Sequence, residues 1–99
     1  MFIVSIKIKT EKIAPEKMEE LLNKHRQWFT DYFNRGDFLL AGPYRDIPYA
    51  GVIIAKCESK EALEKILAND AYYNGQLADY EVHEFSVGLF SKDAAAWKE

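Results

Sequence analysis

The sequence predicts an α+β domain in which a four-stranded antiparallel sheet carries two helices on one face. Three observations predict it. Residues 2–8 and 80–90 alternate in side-chain character with period two, as strands do. Residues 15–35 and 59–70 place apolar side chains at three- and four-residue spacing, as amphipathic helices do. Between the helical stretches lie two short apolar runs, "DFLLAG" and "GVIIAKC", separated by a loop with two prolines.

In "FIVSIKIK", Phe2, Val4, Ile6 and Ile8 point one way, and Ile3, Ser5, Lys7 and Lys9 the other. "TEKIAPEK" turns, and Pro15 suits the first turn of a helix. Met18, Leu21, Leu22, His25, Trp28, Phe29, Tyr32 and Phe33 then form the apolar stripe of that helix, and Gly36 stands where a C-terminal glycine should. In the second strand, "DFLLAG", Phe38 and Leu40 alternate with Leu39 and Ala41. "PYRDIPYA" is a loop, because Pro43 and Pro48 bar continuous strand. "GVIIAKC" is the third strand. "ESKEALEKILAND" is the second helix, with Ser59 as N-cap and Ala62, Leu63, Ile66 and Leu67 as its buried stripe. "AYYNGQLAD" is irregular, and "YEVHEFSVGLF" is the fourth strand. Residues 1–99 make one domain, with a core over 1–90 and a tail over 91–99 that forms a short helix or an arm. The order strand, helix, strand, strand, helix, strand is the ferredoxin-like βαββαβ arrangement. Right-handed crossovers put both helices on the same side of the sheet.

Both faces of the second and third strands are apolar: Gly51, Ile53, Ala55 and Cys57 alternate with Val52 and Ile54. Two helices cover one face only. The other face needs a second sheet, and a second copy of the chain is the simplest supplier, which predicts a face-to-face homodimer of the dimeric α+β barrel type. The composition agrees: 48% hydrophobic and 14% aromatic residues are more apolar material than 99 residues easily hide.

The net charge of −3, with both signs mixed along the chain, argues against nucleic acid as a partner. No apolar run approaches the roughly 20 residues that span a bilayer, so no membrane association is expected. A lone cysteine, Cys57, fits a reducing compartment and reads as core. The N-terminus reads as a strand rather than a signal peptide. The expected location is the cytoplasm.

His25 lies on the apolar stripe, one turn after Leu21 and one turn before Phe29. Asp70 follows Leu67 by three residues and Ile66 by four, so it continues the buried stripe of the second helix. An inward carboxylate is costly unless paired. Both helices face the same side of the sheet, so a His25–Asp70 pair satisfies both groups and fixes the imidazole tautomer, which suits general acid–base chemistry. Two other readings stand beside it: a histidine bonded to a backbone carbonyl, and an aspartate that ends its helix in water. His25 lies ten residues beyond Pro15, about 15 Å along the axis. The pair therefore meets only if the second helix overlaps the first deeply or Asp70 folds back in a loop. Asp37, just after Gly36, is the rival partner. Ser5 is a candidate for lining a cavity. His83 reads as a surface or interface residue. No spacing suits a metal and no glycine-rich phosphate loop is present, so no metal and no cofactor is expected.

The helix-borne histidine, "RGDFLLAGP", "GVIIAKCESKEALEKILAND" and the last strand, in that order, resemble the YCII-related (YciI-like) family over nearly the whole chain. That family is similar in architecture to muconolactone isomerase and other dimeric α+β barrels. The resemblance implies an active site with a His–Asp pair, His25 and Asp70 here, and a few family members act as dehydrochlorinases on hydroxylated aromatic rings. It also implies that the "AGP" turn borders the pocket. Gly42, Pro43 and Tyr44, with Ser5, are therefore the expected substrate contacts. Family members commonly carry proline after the aspartate, where this chain has Ala71. The expected function is elimination or isomerisation of a small cyclic or aromatic compound without a cofactor. The alternative is a non-catalytic dimeric module that binds a metabolite. A pocket that reaches His25 favours the enzyme, and a sealed His25 the module.

Overall fold

The computed structural model describes residues 1–97. Four strands and two helices follow one another as β1 (Phe2–Ile8), α1 (Met18–Arg35), β2 (Phe38–Pro43), β3 (Ala50–Ala55), α2 (Lys60–Leu67) and β4 (Ala78–Glu84). The sheet order is β2-β3-β1-β4, and every neighbouring pair is antiparallel. This is the ferredoxin-like α+β fold.

β1 shows why the alternation decides the layering. Phe2, Val4 and Ile6 are buried, while Ile3 and Ser5 are half-buried and Lys7 is exposed on the opposite face. The buried set meets Ile53 and Ala55 of β3, Phe38 of β2, Trp28 of α1, and Leu63 and Leu67 of α2. A 3-10 turn at Pro15–Lys17, with the proline at its start, leads into α1. Gly36 closes α1 in the left-handed conformation at φ 91°, and its N–H and that of Asp37 take up the carbonyls of Phe33 and Tyr32. At α2 the Ser59 hydroxyl accepts the Ala62 N–H at 3.1 Å, so the expected cap is formed.

Several boundaries differ from expectation. The fourth strand is shorter than residues 80–90 and starts earlier, at Ala78–Glu84. Among the described residues it pairs with β1 alone, and the Phe2–Glu84 pair ends that ladder; Phe85 adds one last bond to the Met1 carbonyl. β3 ends at Ala55, and the Lys56 N–H bonds the Asp37 carbonyl. Pro43 is the last residue of β2 rather than part of the loop, which an edge strand tolerates. A bulge between Phe38 and Leu40 changes the phase of β2. Phe38 stands opposite buried Ala55, whereas Leu40 stands opposite Ile54, so the two lie on different faces instead of sharing one. Phe33, placed on the core stripe by its spacing, is 52% exposed in the last turn of α1. In the tail, Ala94–Trp97 form a short 3-10 turn, and the last two tail residues lie outside the described ones.

Candidate active site

α1 brings His25 to the layer between helices and sheet. One helical turn further on, Trp28 is buried and its indole N–H donates to the Ile66 carbonyl at 2.9 Å. That carbonyl belongs to the last turn of α2. The bond therefore fixes the C-terminal end of α2 against the middle of α1. Asn69 repeats the link by donating its side-chain amide to the Tyr32 hydroxyl at 2.9 Å. This deep overlap brings Asp70 to His25. Asp70 sits in the turn just past α2, where its N–H bonds the Leu67 carbonyl at 3.0 Å, a backbone setting reached with Ala71 rather than proline following.

The Asp70 side chain has no solvent exposure and the His25 side chain keeps 13%. His25 Nδ1 lies 2.7 Å from one carboxylate oxygen. The Tyr80 hydroxyl donates to the other at 2.6 Å. Each oxygen of the buried carboxylate thus has a strong donor, which offsets its desolvation. Burial and the hydrogen bond to Asp70 push the Tyr80 hydroxyl far above the usual tyrosine range. Burial, then the charge on Asp70, raises Tyr72 in the same direction. Aromatic rings surround the imidazole: Trp28 stacks with it at 5.5 Å, the Phe29 edge lies at 5.4 Å and Tyr72 at 5.0 Å. In the tautomer with its hydrogen on Nδ1, the ring donates to the Asp70 carboxylate. That tautomer leaves the lone pair on Nε2, the ring's other nitrogen.

A cavity of about 650 Å³ opens in front of this ring. Its helical wall is Leu22, His25, Arg26 and Phe29, and its floor includes Ile6 and Ile53. The loop between β2 and β3 closes one side with Arg45, Asp46 and Ile47. The loop is pinned at both ends. The Tyr44 N–H bonds the Ala50 carbonyl, and the Ile8 N–H bonds the carbonyl of Tyr49, which holds a left-handed φ of 55°. Gly51 permits the close approach of the strands beneath it, since a β-carbon there would stand 2.9 Å from the Gly42 carbonyl oxygen.

The structure brings together some of the residues singled out by sequence and separates others. His25 and Asp70 are bonded, and Gly42, Pro43 and Tyr44 line the same cavity as His25. Ser5 does not line that cavity. It points to the opposite face of β1 from Ile6, where its hydroxyl lies 2.6 Å from the Tyr44 hydroxyl. Asp37 is not the partner of His25; it faces Arg35 at 3.6 Å. His83 is on the surface beside Glu81 at 2.9 Å. Cys57 is half-buried, with burial and Asp37 pushing its thiol up. Among the described residues no group of three or more His, Cys, Asp or Glu forms a metal site, and no helix is long and apolar enough to cross a membrane. Tyr80 and Trp28 were not singled out for this site. Tyr80 shares a face with Val82 and stands opposite Ile6, and that parity was the available signal.

Fold and cavity together define a ferredoxin-like α+β domain with one carboxylate-held histidine facing a largely apolar pocket. The chain belongs to the YCII family: the family model for the YCII-related domain matches residues 1–86. A solved structure similar in fold is the 5-chloro-2-hydroxyhydroquinone dehydrochlorinase from Burkholderia phenoliruptrix AC1100 in complex with 2,5-dihydroxybenzoquinone. It is 13% identical, with a TM-score of 0.59 over 89% of this chain and 96% of that one. An antibiotic biosynthesis monooxygenase is also similar, at 14% identity and a TM-score of 0.52 over 88% of this chain and 100% of that one. No curated protein matches the chain.

Proposed function

We propose that the chain is a small-molecule enzyme that catalyses elimination or isomerisation of a small cyclic or aromatic compound by proton transfer, with no cofactor. One observation carries the reading: His25 faces a cavity with one nitrogen bound to a fully buried carboxylate. A cavity that reaches His25 favours an enzyme over a module that only binds. In the proposed step, Nε2 takes a proton from a saturated ring carbon beside a carbonyl, as the keto form of a hydroxylated ring provides. The electron pair of that C–H bond becomes the new double bond. In elimination a leaving group such as chloride departs with its own bonding pair; in isomerisation the proton returns to another carbon. His25 is the general acid–base, Asp70 holds its tautomer and orientation, and Tyr80 holds Asp70. Gly42, Pro43 and Tyr44 border the bound ring. The dehydrochlorinase with the same fold gives a first substrate to try.

The test is chloride release from 5-chloro-2-hydroxyhydroquinone and related chlorinated hydroquinones, by wild type and His25→Ala. The expected loss is about 10²–10⁴-fold, the usual contribution of a general acid–base. A folded His25→Ala protein that retains full turnover would return His25 to a structural role.

The working form is proposed to be a homodimer joined through the sheet face that the helices leave open. Ile3, Ile54 and Leu40 lie side by side on that face.

A further inference from the structure

We propose that the ligand of the His25 cavity carries an anionic group, a carboxylate or an ionised ring hydroxyl, and that Arg26 binds it. The inference rests on the cavity being the ligand site, as proposed above, and names the chemical class it takes. The chain as a whole is acidic, with a net charge of −3. Arg26 from α1 and Arg45 from the facing loop line the cavity with Asp46, and because Arg45 is already engaged in another interaction, Arg26 is the cation that faces a ligand. Asp70 does not add to the lining, because its side chain is fully buried behind His25.

Arg26 is placed for the role by its neighbour in sequence. It follows His25 in α1, and both residues line the same cavity. It is exposed and has no ion pair among the described residues. A guanidinium at the mouth of an apolar pocket presents a planar fork of donors that matches a carboxylate, and the low-dielectric walls strengthen the pairing. Ile6, Leu22 and Phe29 receive the apolar body of the ligand. An anion held at Arg26 fixes which carbon of the ring lies before Nε2 of His25, so Arg26 is a specificity-determining residue.

The experiment compares binding of 3-hydroxybenzoate with that of its neutral counterpart, 3-hydroxybenzamide, by calorimetry at fixed ionic strength. Wild type should prefer the benzoate by about tenfold or more, the scale of one charge-assisted hydrogen-bonded pair. Arg26→Gln, at an exposed position, should remove that preference by bringing the benzoate down to the affinity of the benzamide, with circular dichroism confirming the fold. Equal affinity for the two probes in wild type overturns the inference, as does a preference that survives in Arg26→Gln. Either result leaves the cavity itself standing as a ligand site. Failure of both probes to bind, with no change in the His25 ring signals by NMR, overturns the cavity reading and this inference together.

Discussion

A carboxylate shut off from water must find donors for both oxygens, and Asp70 finds them in His25 and Tyr80. The expected consequence for His25 is a fixed tautomer, with the hydrogen on Nδ1 and the lone pair on Nε2. Nitrogen NMR should read that form in wild type. In Asp70→Ala the ring should move toward the Nε2–H form favoured by free histidine, and turnover should drop by about 10²–10⁴-fold. An unchanged tautomer in Asp70→Ala would remove Asp70 as the orienting group. Tyr80 carries a separate expectation in pH. Its folded pKa is raised, first by burial and then by the bond to Asp70. Stability from a group raised on folding is complete below its unfolded value, about 10 for tyrosine, and drains away as pH climbs toward the folded value. The protein should therefore lose stability above about pH 10, with Tyr72 adding to the loss in the same sense. Tyr80→Phe should flatten that alkaline slope while costing about 1–3 kcal/mol at neutral pH, because one Asp70 oxygen loses its donor. Urea denaturation across the alkaline range measures both. The His25–Asp70 pair was legible because both side chains continue apolar stripes, where a polar group must have a partner. Tyr80 was not, since its claim on Asp70 depends on where the turn after α2 carries the carboxylate.

The helices are held unequally, and their leucines should report it. Leu63 is wholly buried under α2, whereas Leu21 of α1 is half-buried at the margin of the core. Leu63→Ala should cost about 2–5 kcal/mol, and Leu21→Ala should fall below that range because its site is already partly hydrated. Equal losses in thermal denaturation would mean that α1 sits deeper than the structure places it. α1 can remain this open because Trp28, through its ring packing and its bond to Ile66, ties the helix down, leaving the turn with Leu22 and His25 free to wall the cavity. Caps and helix ends were legible from Ser59, Pro15 and Gly36, which act through local backbone chemistry. Strand ends and the phase of β2 were not. β4 stops where β1 runs out of residues to pair, and the bulge after Phe38 is a matter of fit against β3. Neither condition is written in the strand's own sequence.

At the scale of the whole molecule, the sheet has a covered face and an open one, and the register now says which residues belong to each. Ile53 and Ala55 are buried beneath the helices. Ile54 pairs with Ile3 on one side and Leu40 on the other, so these three form an apolar band on the open face. The β4 side of that face carries Asp79, Glu81 and His83, whose partners on β1 are Lys7, Ser5 and Ile3. An apolar band bordered by charge has the anatomy of an interface with a dry centre and a polar rim. A second copy meeting it related by a twofold axis would bury the band on both sides and close two sheets into one barrel. The two-sided apolar character of β3 already implied this from sequence, but the choice of face required the register. Ile54→Lys therefore tests assembly with little effect on the monomer's own core, whereas Ile53→Lys would place a charge among buried side chains and unfold the chain. Sedimentation should show wild type as a dimer at micromolar concentration and Ile54→Lys as a folded monomer. A wild type that sediments as a monomer, or an Ile54→Lys protein that remains dimeric, would place the contact elsewhere. Because Ile54 does not line the His25 cavity, the monomeric variant also shows whether ligand binding needs the second copy. Unchanged affinity would mean that each chain carries a complete site.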